Sequence, residues 1–122
     1  MAGKKESQIQ AEIRDYLRRR GWLVYITTCG VYMSGLPDMI CHHPTHGTRF
    51  VDVKRPKRGT LTKAQCQTWT EFERFGLGVW ILTECNDEIL FGPPNFRDWW
   101  KPRYDKYQLK TGASILENWE GE

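Results

Sequence analysis

No apolar run in the 122 residues approaches the length of about 18 that a membrane-crossing helix needs, and the opening MAGKKESQ lacks the apolar stretch of a secretory signal. A cytoplasmic chain that crosses no membrane is the expectation. The four cysteines, Cys29, Cys41, Cys66 and Cys85, stand 12, 25 and 19 residues apart, so there is no Cys-x-x-Cys pair. That excludes a zinc ribbon or dithiol motif and leaves reduced, mostly buried thiols. Histidine is scarce as well, and its three copies all lie in Cys41-His42-His43-Pro44-Thr45-His46-Gly47. Four good zinc ligands at workable spacing are missing there, and Pro44, Thr45 and Gly47 make the segment a polar turn between two strands. Repeats and low-complexity tracts are absent, and the length leaves room for one domain.

What is present is the composition of a folded domain, with 39% hydrophobic, 13% aromatic and 27% charged residues. The net charge of +3 conceals an uneven distribution. Residues 4–20 carry six basic and three acidic groups and residues 49–63 six and one, whereas residues 84–122 carry five and eight. Clustered Lys and Arg fit a polyanionic partner, because neutralised phosphates release condensed counterions; a solvated surface is the alternative.

Ser7 and Gln10 form a capping-box signature, and Ile9, Ile13, Tyr16 and Leu17 recur on one face, which predicts a helix over 8–20 closed by Gly21. Trp22 to Ile26 reads as a buried strand, Thr27 to Gly35 as a loop, and Asp38 to Cys41 as a second strand. A third strand, over residues 49–54, alternates so that Phe50, Asp52 and Lys54 share one face and Arg49, Val51 and Val53 the other. Thr62 and Gln65 then cap a second helix that runs to about Phe75 and is closed by Gly76, with Gln65, Trp69 and Phe72 facing the sheet. Gly78 to Thr83 reads as a strand, Asn86-Asp87 as a hairpin turn, Glu88 to Phe91 as an edge strand, and Asn95 as the start of a short helix. The division expected is a core over 1–92 and a C-terminal extension over 93–122. The Trp99, Trp100 and Trp119 of that extension either pack back on the core or serve an interface.

Taken singly, Asp38 is a turn residue, Asp52 with Lys54 an ion pair, and Gln65 a cap. Together they place two carboxylates and a lysine at one end of a sheet. A hard divalent cation takes oxygen ligands, so Asp38, Asp52 and the Val53 carbonyl form a plausible set. Lys54 beside such a cation can orient an attacking water or stabilise the added charge of a pentavalent phosphorus. The turn Arg55-Pro56-Lys57-Arg58 follows directly, and with Lys63 it offers cationic contacts to the phosphates of a polyanion.

The ordered set Glu12, Gly35-Leu36-Pro37-Asp38, Asp52-Val53-Lys54 and Gln65 resembles the VRR-NUC branch of the PD-(D/E)XK nucleases, in the small stand-alone form of phages and bacteria. The resemblance spans residues 7–91; its one departure is Asp52, where VRR-NUC members more often carry Glu. It implies an α/β, restriction-endonuclease-like αβββαβ fold with a mixed central sheet, and hydrolysis of DNA phosphodiesters with Mg2+ or Mn2+. It also implies a homodimer selective for branched DNA, similar in role to a Holliday-junction resolvase. By the same carry-over Asp38, Asp52 and Val53 hold the metal, Lys54 is the catalytic lysine, and Gln65 and Glu12 support the site. Glu12, at the flank of the buried helix face, either reaches the site through water or pairs with Arg19 at the surface. The competing readings are a non-catalytic DNA-binding module and a nuclease subunit of a larger repair or packaging complex. The intact Asp38, Asp52 and Lys54 argue against the former.

Overall fold

The computed structural model describes residues 3–27, 35–57, 59–101 and Tyr104. The chain opens with helix α1 (Glu6–Arg19), followed by strands β1 (Leu23–Ile26), β2 (Met39–His43) and β3 (Gly47–Val53). Helix α2 (Lys63–Arg74), strand β4 (Val79–Leu82), a short helix α3 (Asp87–Phe91) and a 3-10 turn (Phe96–Trp99) complete it. The four strands form one sheet in the order β1-β2-β3-β4. The first two pairings are antiparallel and β3 with β4 is parallel, giving the mixed α/β sheet with flanking helices that the sequence implies. Parallel neighbours need a crossover, and α2 provides it.

Each helix covers one face of the sheet. Ile9, Ile13, Tyr16 and Leu17 of α1 are buried against Val24, Met39, Cys41, Val51, Val53 and Leu82. On the opposite face Cys66 and Trp69 of α2 meet Leu61, Val79, Ile81, Phe96 and Tyr104. Period-two alternation along β3 therefore sends Val51 and Val53 towards α1, and Asp52 and Lys54 towards α2. Cys41 and Cys66 are buried free thiols, and Cys85 is exposed. Burial alone pushes the Cys41 thiol up to about 12, which keeps it protonated.

Several boundaries differ from expectation for local reasons. Helix α1 starts two residues earlier than Ser7 allows, because the Gln8 side chain accepts from the Lys5 N–H at 2.9 Å and satisfies the helix entry there. The segment read as a hairpin turn and an edge strand is instead α3. The Asn86 side chain accepts from the Ile89 N–H at 3.1 Å, Asp87 and Glu88 occupy the first turn, and Leu90 is buried. A cap of this kind contributes about 1 kcal/mol, and acidic groups complement the positive end of a helix, so five residues suffice once Leu90 has a core to enter.

Beyond α3, Phe96 and Tyr104 are buried in the α2-side core. Asn95 pairs both backbone groups of Ile81, accepting from its N–H at 2.6 Å and donating to its carbonyl at 3.0 Å, so the outer edge of β4 is occupied by a side-chain amide. Trp99 and Trp100 are half-buried against the α2-side core. Trp119 lies outside the described residues. No helix among the described residues is long and apolar enough to cross a membrane.

Candidate active site

The antiparallel pairing of β2 with β3 sets Met39 opposite Val51, which brings the turn before Met39 to the C-terminal end of β3. Asp38 and Asp52 are consequently cross-linked. The Asp38 N–H donates to Asp52 Oδ1 at 3.2 Å, and the Val53 N–H donates to Asp38 Oδ2 at 2.8 Å. Two further bonds hold the turn: the Thr27 N–H donates to the Asp38 carbonyl at 2.9 Å, and the Thr27 hydroxyl to the Pro37 carbonyl.

Lys54 follows the last residue of β3, and its N–H still donates to the Leu82 carbonyl at 3.1 Å, so the strand geometry carries through. Its side chain is buried (7% exposed), and the ammonium sits 3.3 Å from Asp52 Oδ2. Lys54 Nζ also donates to Gln65 Oε1 at 2.8 Å, and the same oxygen accepts from the Thr62 N–H at 3.0 Å. One amide oxygen thus caps α2 and fixes the lysine, so the capping and functional readings of Gln65 hold together.

Asp52 is 1% exposed. Burial, and after it the neighbouring Asp38 charge, push its carboxyl well above the ordinary value of 3.8, while Lys54 pulls the other way. Its Oδ2, although close to the Lys54 ammonium, has no aligned hydrogen-bond donor. A buried carboxylate oxygen with no aligned donor, beside a second carboxylate on the same sheet end, fits a hard divalent cation with Asp38 and Asp52 as ligands. Among the described residues no three His, Cys, Asp or Glu side chains converge, so water and substrate phosphate would complete the shell. His43 and His46 of the β2–β3 turn pack into an aromatic group instead, His43 tilted against His46 at 4.8 Å and against Trp22 at 5.1 Å.

The raised Asp52 pKa has a consequence for stability. In the unfolded chain this carboxyl ionises near 3.8, whereas in the fold it keeps its proton to higher pH. Its contribution to stability is complete below the unfolded pKa and is lost as pH rises from there towards the raised value, at about 1.4 kcal/mol for each tenfold difference in proton affinity between the two states. Without divalent metal, the melting midpoint of the wild type should fall relative to that of Asp52→Asn as pH climbs from about 4. A difference between the two that stays constant with pH would contradict the assignment.

The remaining expected residues are spread around this centre. Arg55 is half-buried, Lys57 is exposed with a left-handed backbone (φ 65°), Lys63 is the exposed first residue of α2, and Arg58 lies outside the described residues. The Gly59 N–H donates to the Arg55 carbonyl at 2.9 Å, and a Cβ at Gly59 would lie 2.7 Å from Lys54 Cβ, so the basic turn folds tightly over the lysine. Glu12 pairs with Lys4 at 2.8 Å rather than with Arg19, and lines a hollow of about 350 Å³ that Arg55 and Thr83 also border. The first-helix glutamate that shares a hollow with Lys54 is Glu6. That hollow, of about 270 Å³, is bounded by Glu6, Lys54, Arg55, Gly59, Thr60 and Thr62. Sequence reasoning missed Glu6, although extending the stripe of Ile13 and Ile9 back by three residues reaches it.

No family model and no curated protein matches the sequence. Among solved structures, one described as a VRR_NUC domain superposes with a TM-score of 0.59 at 23% identity, covering 68% of this chain and 88% of the other. This chain has the fold of that domain.

Proposed function

We propose that this chain is a Mg2+- or Mn2+-dependent endonuclease of the VRR-NUC kind that hydrolyses phosphodiester bonds in DNA. The observation that carries the reading is the convergence of Asp38, Asp52, Lys54 and Gln65 at one end of a sheet whose fold matches a VRR_NUC domain. The cation, when bound, neutralises the scissile phosphate and acidifies the water that attacks it. Asp38 and Asp52 hold it with the Val53 carbonyl. Lys54, aimed by Gln65, orients the attacking water or stabilises the charge that develops on phosphorus. Arg55, Lys57, Arg58 and Lys63 meet the flanking phosphates, contacts that position the duplex and carry no sequence information.

The finer reading is selection by DNA shape, with the four-way junction as substrate and a homodimer as the acting species. One small site cuts one strand, and resolving a symmetric junction takes two coordinated cuts, which a twofold dimer supplies. Light scattering should give a mass near twice 14.4 kDa, and a labelled junction should show paired nicks on opposing strands while linear duplex is spared. A strict monomer that nicks junction and duplex alike would overturn the junction reading and leave a simple nickase.

A further inference from the structure

Trp69 is fully buried in α2 and touches both halves of the candidate site. Its indole N–H donates to the Gly35 carbonyl at 2.7 Å, at the head of the turn that leads to Asp38, and its ring centroid lies 5.9 Å from Lys54 Nζ. The turn rests directly on α2. Gly35 has φ +91°, and a Cβ there would meet Thr68 Oγ1 at 2.6 Å and the Ala64 carbonyl oxygen at 2.7 Å. A buried indole N–H needs an acceptor, so the turn conformation that offers the Gly35 carbonyl is favoured. Three residues further on, the same turn delivers Asp38 to its bonds with the Val53 N–H and the Asp52 carboxylate.

The ring is itself held from behind. Trp69 packs edge-on against Phe96 (5.5 Å, 84°), Phe96 against Trp100 (5.8 Å, 87°), and Trp100 against Tyr104 (5.6 Å). The Tyr104 hydroxyl then accepts from the Leu61 N–H at 3.0 Å, at the start of the segment that leads through Thr62 to Gln65. The aromatic row of the C-terminal extension therefore runs from the back of the Asp38 turn to the entry of the helix that fixes Lys54.

We propose, resting on the nuclease reading, that Trp69 is a positioning residue: its indole N–H sets the Gly35 turn and thereby the placement of Asp38 against Asp52. A phenylalanine fills most of the same space and lacks the donor. Residues that orient metal ligands from behind contribute about ten- to a hundredfold to metal affinity or rate. The Trp69→Phe variant, and a protein with benzothienylalanine at position 69, which keeps the bicyclic shape without the N–H, should both bind DNA in Ca2+ as the wild type does. Both should bind Mn2+ about tenfold or more weakly, read as free Mn2+ by electron paramagnetic resonance, and cut correspondingly slower in single turnover. Wild-type Mn2+ affinity and rate in the benzothienyl protein would overturn the proposal, whatever the melting midpoint of Trp69→Phe, because the role would then be packing alone. If the wild type itself binds no Mn2+, the nuclease reading fails and this inference falls with it; if the wild type binds Mn2+ and cuts and the benzothienyl protein matches it, the nuclease reading stands and this inference alone falls.

Discussion

Replacing either Asp38 or Asp52 by asparagine should abolish DNA cleavage while leaving DNA binding in EDTA or Ca2+ unchanged or tighter. The two carboxyls are cross-linked through the Asp38 and Val53 amides, so each substitution alters both the charge and the oxygen set offered to a cation. A cation that prefers carboxylate oxygens loses a ligand in either variant, whereas neither substitution removes a basic contact to DNA phosphate. Gel-shift titration and single-turnover cleavage on the same DNA separate the two effects. Equal cleavage by wild type and Asp52→Asn would overturn the site assignment. The buried position of Asp52 makes this variant the more informative, since its carboxyl has no part in surface charge.

The second large effect is expected at Lys54. If its ammonium orients the attacking water or stabilises charge on phosphorus, Lys54→Ala should lower the single-turnover rate at saturating DNA by at least about a hundredfold. If it only contacts phosphate, more DNA should restore the wild-type rate, and the log–log salt dependence of binding should become shallower by about one. Burial favours the first outcome. Lys54 is held between Asp52 and Gln65 on the α2 side of β3, whereas Lys57, in the following turn, is exposed to solvent. Lys57→Ala should accordingly show the reverse pattern, weaker binding and a near-normal rate once saturated. Lys54→Ala also takes a partner from the buried Asp52 carboxyl, so rates are to be compared well below the melting midpoint of the variant.

Much of this arrangement is legible in the sequence because it follows from short periods. The stripe of Ile9, Ile13, Tyr16 and Leu17 faces the core as a 3.6-residue period requires, and alternation puts Asp52 and Lys54 on one face and Val51 and Val53 on the other. The Thr62 and Gln65 capping box forms as its spacing indicates. Local pattern fails where a tertiary contact decides. Glu88 to Phe91 carries β-favouring apolar residues, and only the burial of Leu90 with the Asn86 cap makes it helical. Glu12 and Glu6 are both first-helix glutamates, and which of them shares a hollow with Lys54 depends on where α1 crosses the end of the sheet. The bond from Trp69 to the Gly35 carbonyl spans 34 residues, beyond any local signal.

The most direct measurement is cleavage by the purified wild-type protein of labelled four-way junction and linear duplex, each with Mn2+ and each with EDTA. A metal-dependent, shape-selective endonuclease predicts discrete strand cuts that appear with Mn2+, favour the junction and vanish in EDTA. Intact DNA in every lane, with the junction nonetheless bound, would contradict it and make this fold a DNA-binding module without turnover.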